Sequence, residues 1–265
     1  MNIPAVFYTL KSYFQFLRHS KNEYSLHSPF VYNLYTKVLK KATILSHHKA
    51  IDEVRNALLK DNRIISFETF GVPSRANAKI KQKVKSIAKN SLKERKNAIR
   101  IAQLINHFNY KHLIELGTSF GITTAYMAHG KKEEKSVTTF EGNRAIAEIA
   151  RANFQKLGLE NIQLLEGNID QTLLSFLETS AQIDFALIDA NHAYEPTMRY
   201  FKLLQTKMSL AGCIMIDDIY WSEEMTKAWK EIIAFPEVTV SIDFFDFGLV
   251  FFRKEQVKEH FVLRL

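Results

Sequence analysis

The sequence has one cysteine, Cys213, among its 265 residues, so no disulfide can form within the chain. That cysteine lies in an apolar run, which favours a buried structural thiol over a nucleophile. No apolar run approaches the roughly 18 residues of a membrane-spanning helix, and residues 1–17 lack the basic start and small-residue cleavage site of a secretory signal. These absences predict a cytoplasmic protein without a membrane partner.

Acidic residues are scarce in the first 110 residues, where 6 stand against 20 lysines and arginines. The rest of the chain carries 22 acidic side chains against 16 basic ones, so balances of +14 and −6 give the net charge of +8. We therefore expect a boundary near residue 110. Residues 1–110 would form a helical, basic N-terminal extension or cap, and residues 111–265 the main domain. The basic part is a candidate for binding anionic partners.

Apolar side chains recur at helical spacing in the N-terminal part. A helix over 5–18 is predicted from Phe7, Leu10, Phe14 and Leu17. Further helices are predicted from Pro29 onward, over 47–60 and over 91–108. The lysine-rich stretch 79–96 has the same spacing at Ile80, Val84 and Ile87, which predicts a helix with solvated lysines.

Residues 112–128 begin with an apolar run, pass through a turn with Gly117 and Gly121, and continue in a helical pattern. Neither the dinucleotide fingerprint G-x-G-x-x-G nor the phosphate loop G-x-x-x-x-G-K-[ST] occurs here. Glycines let a ligand approach the main chain, and the N–H groups that begin the next helix suit a carboxylate or phosphate. The stretch therefore predicts a cofactor-binding turn.

Strand and helix patterns alternate from residue 112 onward. Strands are predicted at 112–116, 136–141, 161–165, 183–188 and 212–217, with helices at 121–129, 144–157, 170–179 and 196–208. This alternation predicts an α/β fold with a parallel sheet and helices on both faces. After a helix at 222–233, the stretches 238–242 and 249–252 predict a hairpin.

The pattern Glu115-x-Gly117-x-x-x-Gly121 resembles motif I of class I S-adenosylmethionine-dependent methyltransferases. The terminal hairpin is similar to the seventh-strand ending of that family, and the resemblance extends from His112 to Arg253. It implies a Rossmann-like sheet of seven strands whose last hairpin is antiparallel. It also implies S-adenosyl-L-methionine as the cofactor, bound by Glu115, Gly117, Thr118, Gly121, Glu141, Gly167, Asn168 and Asp189.

Acidic residues end three of the predicted strands. Glu141 follows the second strand, where a carboxylate can accept hydrogen bonds from both hydroxyls of a ribose. Asp189 follows the fourth strand, and Asp217 and Asp218 follow the fifth. If these two strands are neighbours, three carboxylates converge, which is costly unless a cation neutralises them. Oxygen ligands of this kind suit Mg²⁺, Mn²⁺ or Ca²⁺.

The acidic residues resemble the metal site of the divalent-metal-dependent O-methyltransferases of the catechol and caffeoyl-CoA type. In that group an acid after the fourth strand and an Asp-Asn pair after the fifth hold the metal; here the pair is Asp217-Asp218. His192 stands where the group commonly has lysine, which is similar to sugar O-methyltransferases that pair a histidine base with a metal. The resemblance implies Asp189, Asp217 and Asp218 as metal ligands, and His192 and Asp189 as catalytic residues. The alternative is that Asp218 caps a helix and Asp189 is solvated, with no metal.

The resulting hypothesis is transfer of a methyl group from S-adenosylmethionine to a small-molecule hydroxyl, with divalent metal assistance and His192 as proton acceptor. The alternative is an RNA methyltransferase that binds RNA through the basic N-terminal region. Against it, the chain has no Asn/Asp-Pro-Pro-aromatic motif after the fourth strand and no Pro-Cys nucleophile. A homodimer stays open, since the aromatic N-terminal helix and the hairpin could each bury against a second copy.

Overall fold

The computed structural model describes residues 3–46, 48–68, 79–130 and 135–265. In chain order the helices are α1 (Ile3–His19), α2 (Pro29–Asn33, continued by a π-helical turn Leu34–Leu39), α3 (His48–Lys60), α4 (Val84–Ser91), α5 (Arg95–Phe108), α6 (Ile122–Ala128), α7 (Arg144–Lys156), α8 (Ile169–Thr179), α9 (Tyr194–Gln205) and α10 (Glu223–Ala234). The strands are β1 (Ile64–Glu68), β2 (Lys79–Lys83), β3 (His112–Leu116), β4 (Ser136–Glu141), β5 (Ile162–Glu166), β6 (Ile183–Ile188), β7 (Met208–Asp217), β8 (Val240–Asp243), β9 (Phe247–Phe251) and β10 (Glu259–Val262).

The chain packs as two compact units. One unit combines Met1–Lys41 with Ser180–Leu265, and the other is the contiguous stretch Ala42–Thr179. The first unit is therefore built from both ends of the sequence. This division by packing does not test the functional boundary expected near residue 110, which stays a prediction.

In the contiguous unit, strands β3, β4 and β5 lie side by side in this order and run parallel. Every residue of α6 is buried, and so are four of the five residues of β3. Because the strands are parallel, their carboxyl ends share one edge. The turn with Gly117 follows β3 at that edge, Glu141 ends β4, and Gly167 follows β5.

In the discontinuous unit, five strands lie in the order β10-β8-β9-β7-β6. The β6–β7 and β8–β10 pairs are parallel, and β9 is antiparallel to both β7 and β8. The N-terminal segment is bonded to the last strand, because the Lys21 N–H donates to the Val262 carbonyl oxygen at 2.8 Å. The Tyr35 hydroxyl adds a second bond, to the Arg264 carbonyl oxygen at 2.6 Å.

Most predicted elements are confirmed within a few residues, including the alternation from residue 112, the final antiparallel hairpin and the helices α1, α2 and α3. The helix predicted from residue 79 is wrong at its start: residues 79–83 form β2, antiparallel to β1, and the helix begins at Val84. Its alternating lysines fit a strand as well as a helix, and cross-strand pairing decides between them. Strand β10 was not predicted; it pairs parallel with β8.

The α/β fold class is confirmed, with mostly parallel strands and an antiparallel hairpin near the end. Cys213 is buried in β7, and burial raises the pKa of its thiol well above its usual range, which agrees with a structural role. Within the described ranges, no helix combines the length and the apolar character needed to cross a bilayer.

Candidate active site

The turn after β3 has a left-handed backbone at three positions. The φ angles are 98° at Gly117, 48° at Ser119 and 76° at Gly121. The N–H groups of Gly117 and Thr118 both donate to the Phe140 carbonyl oxygen at 3.0 Å, which fixes the turn against the end of β4. A left-handed serine is a strained position of the kind that clusters at ligand-binding turns.

Glu141 lies directly beside this turn. One carboxylate oxygen accepts from the Ser119 N–H at 2.9 Å, and the other accepts from the Asn143 N–H at 2.9 Å. Burial raises the pKa of Glu141, and the backbone N–H bonds from Asn143, Ser119 and Gly142 only partly offset that rise. The carboxylate is therefore partly buried and fixed in orientation, which suits an acceptor for ribose hydroxyls.

Glu115 and Thr118 direct their side chains into the protein interior. Glu115 is fully buried, and its carboxylate accepts from the Thr139 hydroxyl at 2.7 Å and from the Thr124 hydroxyl. The Thr118 and Thr139 hydroxyl oxygens are 2.6 Å apart. These bonds join β3, β4 and α6 beneath the turn. The cofactor-binding roles assigned to Glu115 and Thr118 stay predictions, and the observed contacts give both side chains a positioning role.

Gly167 and Asn168 follow β5 at the same edge as Glu141. The Gly167 N–H donates to the Glu141 carbonyl oxygen at 3.0 Å, and the φ angle of Gly167 is 133°. Asn168 is exposed, and its side-chain oxygen accepts from the Asp170 N–H at 3.0 Å, at the start of α8. The placement of both residues beside an adenine stays a prediction.

In the other unit, the His192 ring lies between two carboxylates. Its Nε2 is 3.7 Å from Asp189 Oδ1, and its Nδ1 is 3.7 Å from Asp218 Oδ2. Both distances exceed those of hydrogen bonds, and the contacts are ion pairs only when the ring carries a second proton. His192 is about one-third exposed, which leaves the ring accessible. We call these three residues the histidine cluster.

Strained backbone supports the histidine cluster on both sides. The φ angles are 62° at Asn191, 22° at His192 and 53° at Asp218, although none is a glycine. The Asp218 N–H donates to the Asp246 carbonyl oxygen at 2.8 Å, which fixes the loop after β7. Strain of this kind persists only where surrounding contacts hold it, and it is typical of functional sites.

The predicted metal site does not fit the observed donor set. Asp189 and Asp218 face the two nitrogens of one imidazole ring, and Asp217 ends β7 next to Asp218. In the part of the chain that the structure describes, no group of three or more histidine, cysteine, aspartate or glutamate side chains could hold a metal ion. The prediction of Mg²⁺, Mn²⁺ or Ca²⁺ therefore has no support from these residues.

Sequence reasoning missed two serines at the turn. The Ser119 N–H is the donor that fixes Glu141, and the Ser119 hydroxyl oxygen is 2.8 Å from that of Ser91 at the end of α4. The position of Ser119 between Gly117 and Gly121 was a usable signal. Ser91 gave none, because it lies 28 positions away along the chain.

The parallel strands, the glycine turn and the acid beside it define a class I, Rossmann-like methyltransferase fold. Residues 114–219 match the model of a family described as a methyltransferase domain. The matched stretch includes the turn, Glu141 and the histidine cluster, and the resemblance stated from the sequence is confirmed at the level of this match. No curated protein sequence matches the chain.

Three solved structures that are similar to this chain are methyltransferases. The SAH-bound methyltransferase PaMTH1 of Podospora anserina has a TM-score of 0.60 at 14% identity, covering 86% of this chain and 97% of that one. An O-methyltransferase of Bacillus cereus in complex with SAH has a TM-score of 0.54 at 16% identity, covering 83% and 96%. The O-methyltransferase TomG of Streptomyces achromogenes, involved in tomaymycin synthesis and solved with SAM, has a TM-score of 0.55 at 14% identity, covering 77% and 90%. At these identities the likeness shows the fold.

Proposed function

We propose that this chain is a methyltransferase that uses S-adenosylmethionine and methylates a hydroxyl oxygen of a small molecule. The observation that carries the proposal is the hydrogen bond from the Ser119 N–H to Glu141, which fixes a partly buried carboxylate beside the glycine turn. The SAM- and SAH-bound structures of similar fold support the choice of cofactor. The O-methyltransferases among them support oxygen as the acceptor atom.

The contiguous unit supplies the residues proposed to bind the cofactor. Glu141 accepts hydrogen bonds from the ribose hydroxyls, and the turn from Gly117 to Gly121 lets the ligand approach the main chain. Gly167 and Asn168 lie beside the adenine. When bound, S-adenosylmethionine supplies a methyl group on a positively charged sulfur, and S-adenosylhomocysteine is the product.

The histidine cluster supplies the proposed base. His192 would accept the proton that the acceptor hydroxyl loses when its oxygen takes the methyl group, which S-adenosylmethionine would supply with S-adenosylhomocysteine as the leaving group. The carboxylates of Asp189 and Asp218, each 3.7 Å from a ring nitrogen, compensate the positive charge that the ring then carries. Their negative charge also favours an acceptor that is neutral before it reacts.

Metal assistance, which the resemblance implies, forms no step of this proposal. Asp189 and Asp218 are directed at His192, and among the described residues no set of three suitable ligands converges. The carboxylates act instead on the histidine ring.

The test of the proposal is calorimetric titration of S-adenosylmethionine into the purified protein and into Glu141→Ala. Loss of hydrogen bonds to a carboxylate costs about 2 kcal/mol, so Kd should rise roughly 30-fold in the variant. Glu160→Ala, which removes an exposed glutamate from the same unit, is the matched control and should bind normally. No binding to the unmodified protein would refute the proposal.

The role of His192 is tested by turnover. With a panel of phenols, sugars and aliphatic alcohols as acceptors, His192→Ala should slow release of S-adenosylhomocysteine by about 10²–10⁴-fold, as loss of a general base does. Cofactor affinity should stay the same, and His107→Ala, at an exposed position of α5, should leave turnover unchanged. Normal turnover in His192→Ala would remove the base from the mechanism, and turnover of RNA alone would exclude the small-molecule acceptor.

A further inference from the structure

A cavity of about 720 Å³ lies between α1 and α10 in the discontinuous unit. Its other walls come from the loop after β7 and from strands β8 and β10. None of its lining residues belongs to the glycine turn, the loops with Glu141 and Gly167, or the histidine cluster. The volume is within the range of about 300–1,000 Å³ that is typical of small-molecule sites.

The walls of this cavity are rich in aromatic side chains. Phe7 and Phe16 come from α1, Trp229 comes from α10, and Tyr220 comes from the loop after β7. Phe16 and Trp229 are almost fully buried, whereas Phe7 is 70% exposed. Such walls suit a flat apolar body, which would cover part of the exposed Phe7 ring.

The polar groups that line the cavity carry an excess of positive charge at its exposed positions. The exposed basic side chains that line the cavity include Lys11 of α1, Lys230 of α10 and His19. The exposed acidic side chain that lines it is Glu223. The fourth potential cation, His260, is also exposed, and partial desolvation of its ring lowers its pKa. Two lysines from opposite walls therefore provide the charge that would meet a ligand.

The buried carboxylate that lines the cavity already accepts hydrogen bonds from groups of the protein. Asp243 is 1% exposed, and its carboxylate accepts from the Tyr220 hydroxyl at 2.7 Å and from the Phe245 N–H at 2.8 Å. Those donors compensate the carboxylate within the protein. Tyr220 also stacks on Phe245, with ring centroids 5.0 Å apart, so this wall is rigid.

The α1 wall is fixed in place. The Tyr8 hydroxyl donates to Thr226 Oγ1 at 2.7 Å, and the Thr226 hydroxyl donates in turn to the Ile219 carbonyl oxygen at 3.0 Å. Ser12, one turn further along α1, lines the cavity and is only 5% exposed. A large side chain at this position would therefore enter the cavity.

We infer that this cavity binds a small organic acid with an aromatic or alicyclic body, whose body packs against Phe16 and Trp229 and whose acidic group meets Lys11 and Lys230. This site is additional to the proposed methyl-transfer site and does not depend on it. Because the cavity lies between α1 and α10, an acid bound in it would contact both helices and stabilise the packing of α1 against α10.

The test uses 2-naphthoate as the probe and 2-naphthylmethanol as its neutral counterpart, each titrated calorimetrically into the full chain. Naphthoate should bind at least fivefold more tightly than the alcohol. Lys11→Gln and Lys230→Gln should each weaken naphthoate binding roughly fivefold, because a fivefold change in affinity is what an interaction between partly exposed charges contributes. Lys37→Gln, at an exposed position away from the cavity, is the matched control. Ser12→Trp should abolish binding and Ser12→Ala should retain it.

Each outcome decides a part of the inference. Binding of naphthoate that Ser12→Trp does not reduce would place the probe elsewhere and overturn the site. Equal affinity for the alcohol, or no effect of either lysine substitution, would overturn the assignment of an acid. No binding of naphthoate at millimolar concentration would overturn the inference as a whole. Unfolding curves of Ser12→Trp and Ser12→Ala establish that a loss of binding is not a loss of fold.

Discussion

Gly121 offers a test of the packing beneath the cofactor turn. At its φ of +76°, an added Cβ would lie 2.4 and 2.5 Å from two ring atoms of Phe154 and 3.3 Å from the Cβ of Ala150. Phe154 is 5% exposed on α7, so its ring cannot turn away into solvent. Gly121→Ala therefore combines an unfavourable backbone conformation with overpacking of a buried contact.

The two costs can be estimated separately. A left-handed conformation costs a residue other than glycine about 1–2 kcal/mol, and overpacking typically costs about 1–3 kcal/mol. Gly121→Ala should therefore lower the free energy of unfolding by about 2–5 kcal/mol. At about 2–4 °C per kcal/mol for a chain of this size, Tm should fall by roughly 4–20 °C.

Gly158→Ala separates the two terms. Gly158 has a φ of +60°, and an added Cβ would have no neighbour within 4 Å, so only the backbone cost of about 1–2 kcal/mol applies. Urea unfolding followed by circular dichroism measures both variants. In a Phe154→Ala background, Gly121→Ala should lose its overpacking cost of about 1–3 kcal/mol. Equal destabilisation by the two glycine variants would refute the role of Phe154.

Two further predictions concern pH and metal. Partial desolvation of its ring lowers the pKa of His260 below its usual 6.5, so as the pH falls through 6.5 the unfolded chain takes up a proton before the folded chain does. The free energy of unfolding should therefore decrease as the pH falls through 6.5. Urea unfolding at several pH values measures this decrease, which should be smaller in His260→Asn. The same pH dependence in His260→Asn and in the unmodified protein would contradict the prediction. Because the described residues offer no set of three metal ligands, incubation with EDTA should leave methyl-transfer activity unchanged, and activity restored only by added Mg²⁺ would contradict that.

The regular part of the fold was predictable because its elements are long and periodic. Strands β3, β4 and β6 match their predicted bounds, since each is an apolar run that ends at a turn or an acid. Strands β2 and β10 were missed because polar side chains interrupt them, so each is defined by its pairing with a partner strand and not by an apolar run. For β10 that partner is β8, which is 19 residues away at the Ser241–His260 pair.

The candidate site was predictable in position more than in contact. The place of Glu141 at the end of β4 follows from its sequence, and so does the place of His192 three residues after Asp189. What the Glu115 side chain contacts does not follow, because its partners Thr124 and Thr139 come from a different helix and strand. For the same reason the sequence could not distinguish carboxylates that converge on a metal from carboxylates that face a histidine.

The bonds that Lys21 and Tyr35 make to Val262 and Arg264 have a consequence for how the chain assembles during synthesis. The stretch Ala42–Thr179 is contiguous, so all of its contacts are available once residue 179 has left the ribosome. Lys21 and Tyr35 are made earlier, yet their partners Val262 and Arg264 are made more than two hundred residues later. The aromatic helix α1 also remains without its partner at first, because Thr226, which accepts from Tyr8, is made more than two hundred residues later. A chain shortened before residue 259 would keep this bond but lose those of Lys21 and Tyr35.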